Sequence, residues 1–527
     1  MEASAAKAIG VEMEQPRAAP SSEEGEVRAR FAALQAAFAG SYQHLVADRN
    51  APRTVVIVPS LTLDQDVMAR VTGAHHYEER MLCLLLLLGL PRTNVVFVTS
   101  TPIPEPIIDY YLHLLPGIPA QHARRRLLLL SCHDASRAPL TAKILARPRL
   151  IRRIAEALPD PASAHMTCFT VTPLERELAV ALGVPIYGCD PDLAPLGSKS
   201  GSRRAFRAAG IAMPAGFEDL RDTTDVVEAF TELKAAHPAL GRAVVKLEEG
   251  FSGEGNAVMS FADAPAGRSS LKRWVRDRMS GLAFEARGMS WELYEQKLGL
   301  MGGIVEEFLE GDVKRSPSAQ MRVDPVGHLD IISTHDQVLG GGSGQIFLGC
   351  RFPADAAYRL EIQAHGLAIG RVLAEQGVLG RFGVDFLSVR DGDRWRHWAI
   401  EINLRKGGTT HPFQMLQFLT DGQYDSTTGQ FLTAAGRPRG YYATDHLESE
   451  SYRGLTPHDL IDIAATNGLH FNAASQEGVS FHLIGALSEF GKLGLVAIGG
   501  TQDRADALYR RVVETLDREA CTIVGGG

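Results

Sequence analysis

Apolar and polar residues alternate along Trp398-Ala-Ile-Glu401-Ile-Asn403-Leu-Arg405. Residues two apart on a β-strand share a face. This spacing therefore predicts a strand with Glu401, Asn403 and Arg405 on one side and Ile400, Ile402 and Leu404 on the core side. Gly383 to Val389 reads as its partner, and Arg390 to Arg394 as the connection of a hairpin. A two-residue turn would put Asp385 and Glu401 on opposite faces. A loop of three or five residues would put them on the same face, because register sets the parity. A shared site for both carboxylates requires the odd loop, and the odd loop is the expectation.

Elsewhere, apolar positions recur at three and four from Glu26 to Val46 (Val27, Phe31, Leu34, Phe38, Tyr42, Leu45), which predicts an amphipathic helix. Short apolar runs at Thr54–Val58, Asn94–Thr99 and Arg126–Ser131 read as strands, with a helical stretch from His75 to Leu88 between the first two. Strands alternating with helices predict a parallel, Rossmann-like sheet from about residue 50 to 195. It lacks the Gly-x-Gly-x-x-Gly dinucleotide fingerprint. Further on, helices are expected at Arg203–Ala209, Tyr358–Gln376, Thr456–Asn467 and from Asp503. Strands are expected at Ala243–Leu247, Ala257–Ser260, Gly303–Leu309, Ser318–Val323, Leu329–Asp336 and Gly491–Ile498.

The chain has 527 residues, 45% hydrophobic and 22% charged, with a formal net charge of −8. That length suits several domains. The acidic balance argues against a nucleic-acid partner, and the runs Arg124–Arg126 and Arg152–Arg153 read as solvated faces. Cys83, Cys132, Cys168, Cys189, Cys350 and Cys521 form no Cys-x-x-Cys pair, as expected of reduced thiols in a cytoplasmic protein. Residues 1–25 are rich in Ala, Glu, Ser and Pro and are expected to form a disordered tail without a secretory signal. The longest apolar run, Met81 to Leu90, is too short for a bilayer, so no membrane association is expected.

Glu401 and Asn403 offer hard oxygen ligands to a divalent cation, and Arg405 offers a fork for phosphate. Solvated decoration of an edge strand is the alternative. Three glycines in Gly250-Phe-Ser252-Gly253-Glu254-Gly255 follow a strand that carries Lys246. Such a loop lets backbone amides approach an anion, although a plain hairpin loop has the same composition. Gly197-Ser-Lys199-Ser-Gly-Ser202 is not a Walker A loop. It suits a helix cap that also attracts phosphate. Gly340-Gly-Gly-Ser-Gly344 reads as a second mobile loop. His75-His76-x-Glu78-Glu79 reads as a mixed-charge helix start rather than a metal site, and His335 and His411 as structural histidines in preference to general bases.

Taken in order, Lys199, Lys246 with its glycine-rich loop, Val305-Glu-Glu-Phe-Leu-Glu-Gly311, Asp385 and Glu401-x-Asn403-x-Arg405 resemble the ATP-grasp superfamily over about residues 197–418. The whole chain is similar to its peptide ligases of the pheganomycin biosynthesis type. The stretches that carry this are His76–Arg80, Thr99–Ile103, Asp109–Leu112, Leu196–Arg203, Glu401–His411 and Gly485–Gly491. The resemblance implies an α/β and α+β protein. A pre-ATP-grasp domain would span residues 26–195. A two-lobed ATP-grasp domain would span 196–430, with a nucleotide lobe at 196–305 and a catalytic lobe at 306–430. A small α+β segment would follow at 431–527.

The resemblance also implies roles. Lys199 and Lys246 would contact ATP phosphates, and Ser252, Gly253 and Glu254 would cover them. The backbone of Glu307, Phe308 and Leu309 would hold adenine and Glu310 the ribose. Asp385, Glu401 and Asn403 would bind two Mg2+ ions, with Mn2+ as a substitute. Asp385 departs from the commoner glutamate. Arg405 and Arg322 would steady the transferring phosphoryl group. The implied activity is ATP-dependent amide formation between a small-molecule or peptide carboxylate and an amine, through an acyl phosphate. A small-molecule kinase and a non-catalytic nucleotide-binding module are the alternatives. The identity of the substrates is not encoded legibly. Oligomeric state is equally unreadable, with a homodimer as the candidate assembly.

Overall fold

The computed structural model describes residues 22–62, 72–249, 255–285, 289–340 and 346–524. The first sheet holds β1 (Arg53–Val58), β2 (Thr93–Thr99), β3 (Leu127–Ser131) and β4 (Ala164–Cys168), all parallel in the order β3-β2-β1-β4. Val55 to Val58 are buried consecutively, as befits a strand covered on both faces. The amphipathic helix Ser22–Ala47 buries Phe31, Phe38 and Leu45. Gln35 fixes it to the sheet layer, donating to the Ile186 carbonyl (3.0 Å) and accepting from the Ile186 amide (2.8 Å). The stretch expected to be helical near His75 winds instead as 3₁₀ turns from Ala74 to Gly89. Nothing in its apolar pattern distinguishes the tighter winding.

The second sheet is β5 (Gly216–Leu220), β6 (Arg242–Leu247), β7 (Asn256–Ser260), β8 (Ala283–Phe284) and β9 (Gly303–Glu307), ordered β5-β9-β6-β7-β8. It packs against helices Thr223–Ala236 and Arg268–Arg278 through Phe230, Val245, Met259 and Val275.

The third sheet is the largest. It contains β10 (Lys314–Arg315), β11 (Pro317–Val323), β12 (Leu329–Gly340), β13 (Ile346–Phe352), β14 (Gly380–Asp391), β15 (Arg394–Asn403), β16 (Gln423–Asp425), β17 (Gln430–Leu432), β18 (Pro438–Glu448), β19 (Gly478–His482) and β20 (Lys492–Gly499). Its main path runs β15-β14-β11-β12-β13-β18-β20-β19, all antiparallel. The β13–β18 pairing joins strands before and after residue 430 into one sheet. β18 is unmarked in the sequence because Gly440 to Asp445 are buried in succession and show no alternation. One face of β14 and β15 packs Phe382, Val384, Phe386, Ala399 and Ile402 against helices Arg359–Glu375 and Lys199–Ala209. The opposite face carries Asp385 and Glu401.

Candidate active site

The β14–β15 connection is the two-residue turn Gly392-Asp393, since Asp391 pairs with Arg394. The expectation of an odd loop is thus incorrect. Uninterrupted, this register would set Asp385 against Ile400 and turn Glu401 to the other face. A β-bulge corrects the parity. Phe386 pairs with Ala399 but Asp385 pairs with Glu401, so Ile400 is the extra residue. Ile400 is consequently half-buried rather than a core residue, and Ala399 takes the core position beside Ile402. Bulged-out Ile400 is what brings Asp385, Glu401 and Asn403 to one face.

Asp385 accepts two amide hydrogen bonds, from Gln337 Nε2 (2.8 Å) and Asn403 Nδ2 (2.9 Å). Burial, then the neighbouring Glu401 carboxylate, push the Asp385 carboxyl up to about 7. Burial would also raise Glu401, but Lys199, Lys246 and Arg405 outweigh it and hold that carboxyl below its usual range. Lys199 Nζ lies 3.4 Å from Glu401 Oε1. Lys246 is ion-paired with Glu306, whose other oxygen lies 3.4 Å from Arg203 Nη1. Two carboxylates paired across a ladder repel, and here one retains its proton to near neutrality. A hard divalent cation would relieve that cost, so Asp385, Glu401 and Asn403 fit a magnesium site.

Arg322 shares the Asp385 face of the sheet but pairs with Arg381, four residues along β14, and donates to Asp330 Oδ2 (2.6 Å). The structure therefore gathers Lys199, Lys246, Asp385, Glu401, Asn403 and Arg405, and engages Arg322 further along the strand.

Helix Lys199–Ala209 is capped by Ser198, whose Oγ accepts from the Gly201 amide (3.0 Å). A Cβ on Gly201 would lie 1.9 Å from the Pro195 carbonyl oxygen, so only glycine permits this approach. The Glu248 carboxylate occupies the helix start, accepting from the Ser200 amide (2.9 Å) and hydroxyl. Ser202 Oγ accepts from the Ile402 amide (3.0 Å) and ties the helix to β15 just past the bulge. At the β9 exit, the Glu307 and Phe308 amides donate to the Ala215 and Arg242 carbonyls. Glu310 forms a bidentate pair with Arg242 (2.8 Å on each arm), and the Arg242 guanidinium lies 4.0 Å over the Phe308 ring. Ser252, Gly253 and Glu254 lie outside the described residues, as does most of the second glycine-rich loop, residues 341–345.

A cavity of about 810 Å³ opens beside this face, lined by Glu401, Asn403, Arg405, Ser198, Glu248 and Thr172 among others. Thr172 follows β4, so the carboxyl end of the parallel sheet forms one wall. Lys406 clamps that wall to β15 by donating to Thr167 Oγ1 (2.9 Å) and the Cys168 carbonyl (2.5 Å); burial pushes its amine down to about 8. Sequence reasoning missed Gln337, Glu248 and Glu306. Only strand pairing reveals Gln337; Glu306 was visible as an acid inside an apolar strand, a costly placement that signals a partner. His335 is buried with Nε2 on the Tyr441 hydroxyl (2.6 Å), and burial pushes it down to about 3, as befits a structural histidine. His411 contacts His482 and Asp445. His76 Nδ1 meets Glu79 (3.1 Å), Glu78 accepts from Ser100, and His75 Nε2 and His76 Nε2 each lie 3.9 Å from Glu489, so the His75–Glu79 motif is divided between its own neighbourhood and helix Ala486–Phe490.

Residues 191–281 and 268–427 match the family model described as IQCH-like, ATP-grasp, and residues 459–512 match the PGM1 C-terminal domain. The chain is 31% identical over 472 residues to the L-propargylglycine–L-glutamate ligase of Streptantibioticus cattleyicolor, covering 88% of this chain and 94% of that enzyme. It is 22% identical over 439 residues to IQ motif-containing protein H of Danio rerio, covering 74% of this chain and 41% of that protein. Among solved structures, the biotin carboxylase domain of the Hydrogenobacter thermophilus 2-oxoglutarate carboxylase, in complex with MgADP, ADP and bicarbonate, superposes with a TM-score of 0.50 at 12% identity, covering 88% of this chain and 90% of that one.

Proposed function

Because the chain belongs to the ATP-grasp superfamily, among its peptide ligases of the pheganomycin type, we propose that it joins a carboxylate to an amine at the expense of ATP. The observation that carries this is the bulge at Ile400, which sets Asp385 opposite Glu401 and beside Asn403 on a face that also receives Lys199 and Lys246. Asp385, Glu401 and Asn403 would hold two magnesium ions, or manganese in their place. Bound there, the metal would neutralise negative charge on the phosphates.

The carboxylate oxygen of the acid attacks the terminal phosphorus of ATP. A P–O bond to the acid forms as the bond to ADP breaks. The amine then attacks the acyl carbon, forming the C–N bond; the C–O bond breaks and phosphate leaves, taking up the proton that the amine gives up. Neither step needs an enzyme nucleophile, and phosphoryl transfer chiefly needs positioning and electrostatic stabilisation. Lys199 and Lys246 would supply positive charge to the phosphates and Arg405 to the transferring group, with Arg322 acting further along the cleft. Ser252, Gly253 and Glu254 would close over the phosphates. The Glu307–Leu309 backbone would take adenine, and Glu310 the ribose on release of Arg242. The relative's name points to amino acids as substrates. The buried free thiols suit the cytoplasm, and among the described residues no helix is long and apolar enough to cross a membrane.

The test is a panel of amino acids and short peptides with ATP and Mg2+, read by mass spectrometry. ADP, phosphate and an amide in equal amounts are expected. Release of AMP, or ADP release independent of any amine, contradicts the proposal. A stable phosphorylated product that hydroxylamine does not trap would identify a kinase instead.

A further inference from the structure

His411, at the start of helix Thr410–Thr420, Asp445 on β18 and His482 at the end of β19 meet in the protein interior, each no more than 5% exposed. Three single atoms converge: His411 Nε2 and His482 Nε2 are 3.0 Å apart, His482 Nε2 and Asp445 Oδ1 2.6 Å, and His411 Nε2 and Asp445 Oδ1 3.4 Å. Hydrogen bonds alone do not satisfy this triangle. If His482 Nε2 carries a proton for Asp445, that one proton must also serve a bare His411 Nε2, and the His411 Nδ1–H is then buried without a partner. If both Nε2 atoms carry protons, two N–H groups face each other at 3.0 Å. If His482 Nε2 is bare, its lone pair faces a carboxylate oxygen at 2.6 Å. His411 Nδ1 has no hydrogen-bond partner, so nothing on that side fixes its tautomer.

We propose that His411, His482 and Asp445 bind one divalent transition-metal ion of the zinc class. Imidazole and carboxylate ligands suit this ion, at about 2.0–2.2 Å. A point roughly 2 Å from all three atoms exists, about 1 Å off their plane, which is the capping position of a tetrahedral site. Two further features fit. Arg80 Nη1 lies 3.3 Å from Asp445 Oδ2, the carboxylate oxygen that faces away from the triangle, and would orient the ligand as an outer-shell partner does. Position 494 is glycine, and a Cβ there would lie 2.1 Å from His482 Nε2 and fill the space beside it. Arg80 and Asp445 offset each other in charge, so the dication brings an uncompensated positive charge. Its fourth position therefore calls for an anionic oxygen, as hydroxide or a carboxylate. The ion would link the helix that follows Arg405 to β18 and β19. It is separate from the magnesium site, whose residues lie on β14 and β15.

The test uses full-length protein without a histidine tag, grown with added zinc and dialysed. Elemental analysis is expected to give about one zinc per chain for a single site of this kind. That zinc should persist in Glu401→Gln and be lost in His482→Gln and Asp445→Asn. Cobalt added to the stripped wild-type protein should give the intense visible bands of a tetrahedral site. This reading stands even if the buried variants fail to fold. Substoichiometric zinc in the wild type without cobalt bands would overturn the proposal, as would full zinc retained by a folded His482→Gln protein.

Discussion

β15 and β20 belong to one sheet, yet they are built on opposite plans. β20 is buried along its whole length, with Leu493, Leu495, Val496, Ala497 and Ile498 wholly inaccessible. β15 alternates, and its open face puts Glu401 and Asn403 on a cavity, with Arg405 just beyond its end. β20 contributes packing, which is non-directional and scales with apolar area. β15 carries charges whose mutual cost is offset only in part by the protein, leaving Asp385 half-titrated near neutral pH. A sheet can thus concentrate stability at one end and unsatisfied electrostatic demand at the other. A ligand of opposite charge is what the second end lacks.

The most severe way to break this contrast is to exchange the two residues at the bulge, Ile400→Glu together with Glu401→Ile. That keeps the composition but takes the carboxylate from the position opposite Asp385 and sets it at the half-buried bulge position. Loss of all detectable ADP formation and a fall in thermal midpoint are expected together, because the metal face loses a carboxylate and the displaced one is half-buried away from its lysine partners. Single substitutions should separate the two plans. Glu401→Gln is expected to lower turnover on the order of a hundred- to a thousandfold, with the unfolding midpoint nearly unchanged. Leu495→Ala should do the reverse, costing about 2–5 kcal/mol of stability in denaturant titrations while the folded fraction keeps its turnover.

A pH titration sharpens the comparison further. The Asp385 carboxyl is raised to about 7 in the folded protein. Between its unfolded value, near 4, and about 7 the native state therefore holds more protons than the unfolded state. Stability without Mg2+ and nucleotide should fall as pH rises through that window, and the penalty is complete above it. Asp385→Asn should flatten this slope, and Glu401→Gln should shift its upper end to lower pH by removing the neighbouring charge. A flat profile in the wild type would contradict the electrostatic description of β15. The smallest effect is expected from Glu310→Ala. Its pairing with Arg242 is exposed, so stability should stay within about 0.5 kcal/mol, while the KM for ATP rises severalfold.

Much of this was legible from residue pattern. The Rossmann-like strands, the Glu401 strand and the long helix ending near Gln376 follow from hydrophobic period. The bulge does not. Ile400 is an apolar residue in an apolar slot of a regular alternation, and no residue type at that position signals an insertion. The even turn and the bulge each reverse the parity, so the grouping of Asp385 with Glu401 was anticipated by a route the structure replaces. β18 was invisible because burial on both faces erases alternation. Glu310 carries no mark of its partner Arg242, which lies sixty-eight positions earlier. Likewise Asp445 and His482 are unremarkable until β18 and β19 bring them to His411.

The central claim is that this face phosphorylates a carboxylate before an amine displaces the phosphate. The most direct measurement follows one oxygen atom. With the acid substrate labelled in its carboxylate by heavy oxygen, one labelled oxygen should appear in the released inorganic phosphate, in step with the amide. Glu401→Gln should lose label transfer and amide together. Amide formed with unlabelled phosphate, or label recovered in AMP, would contradict the account.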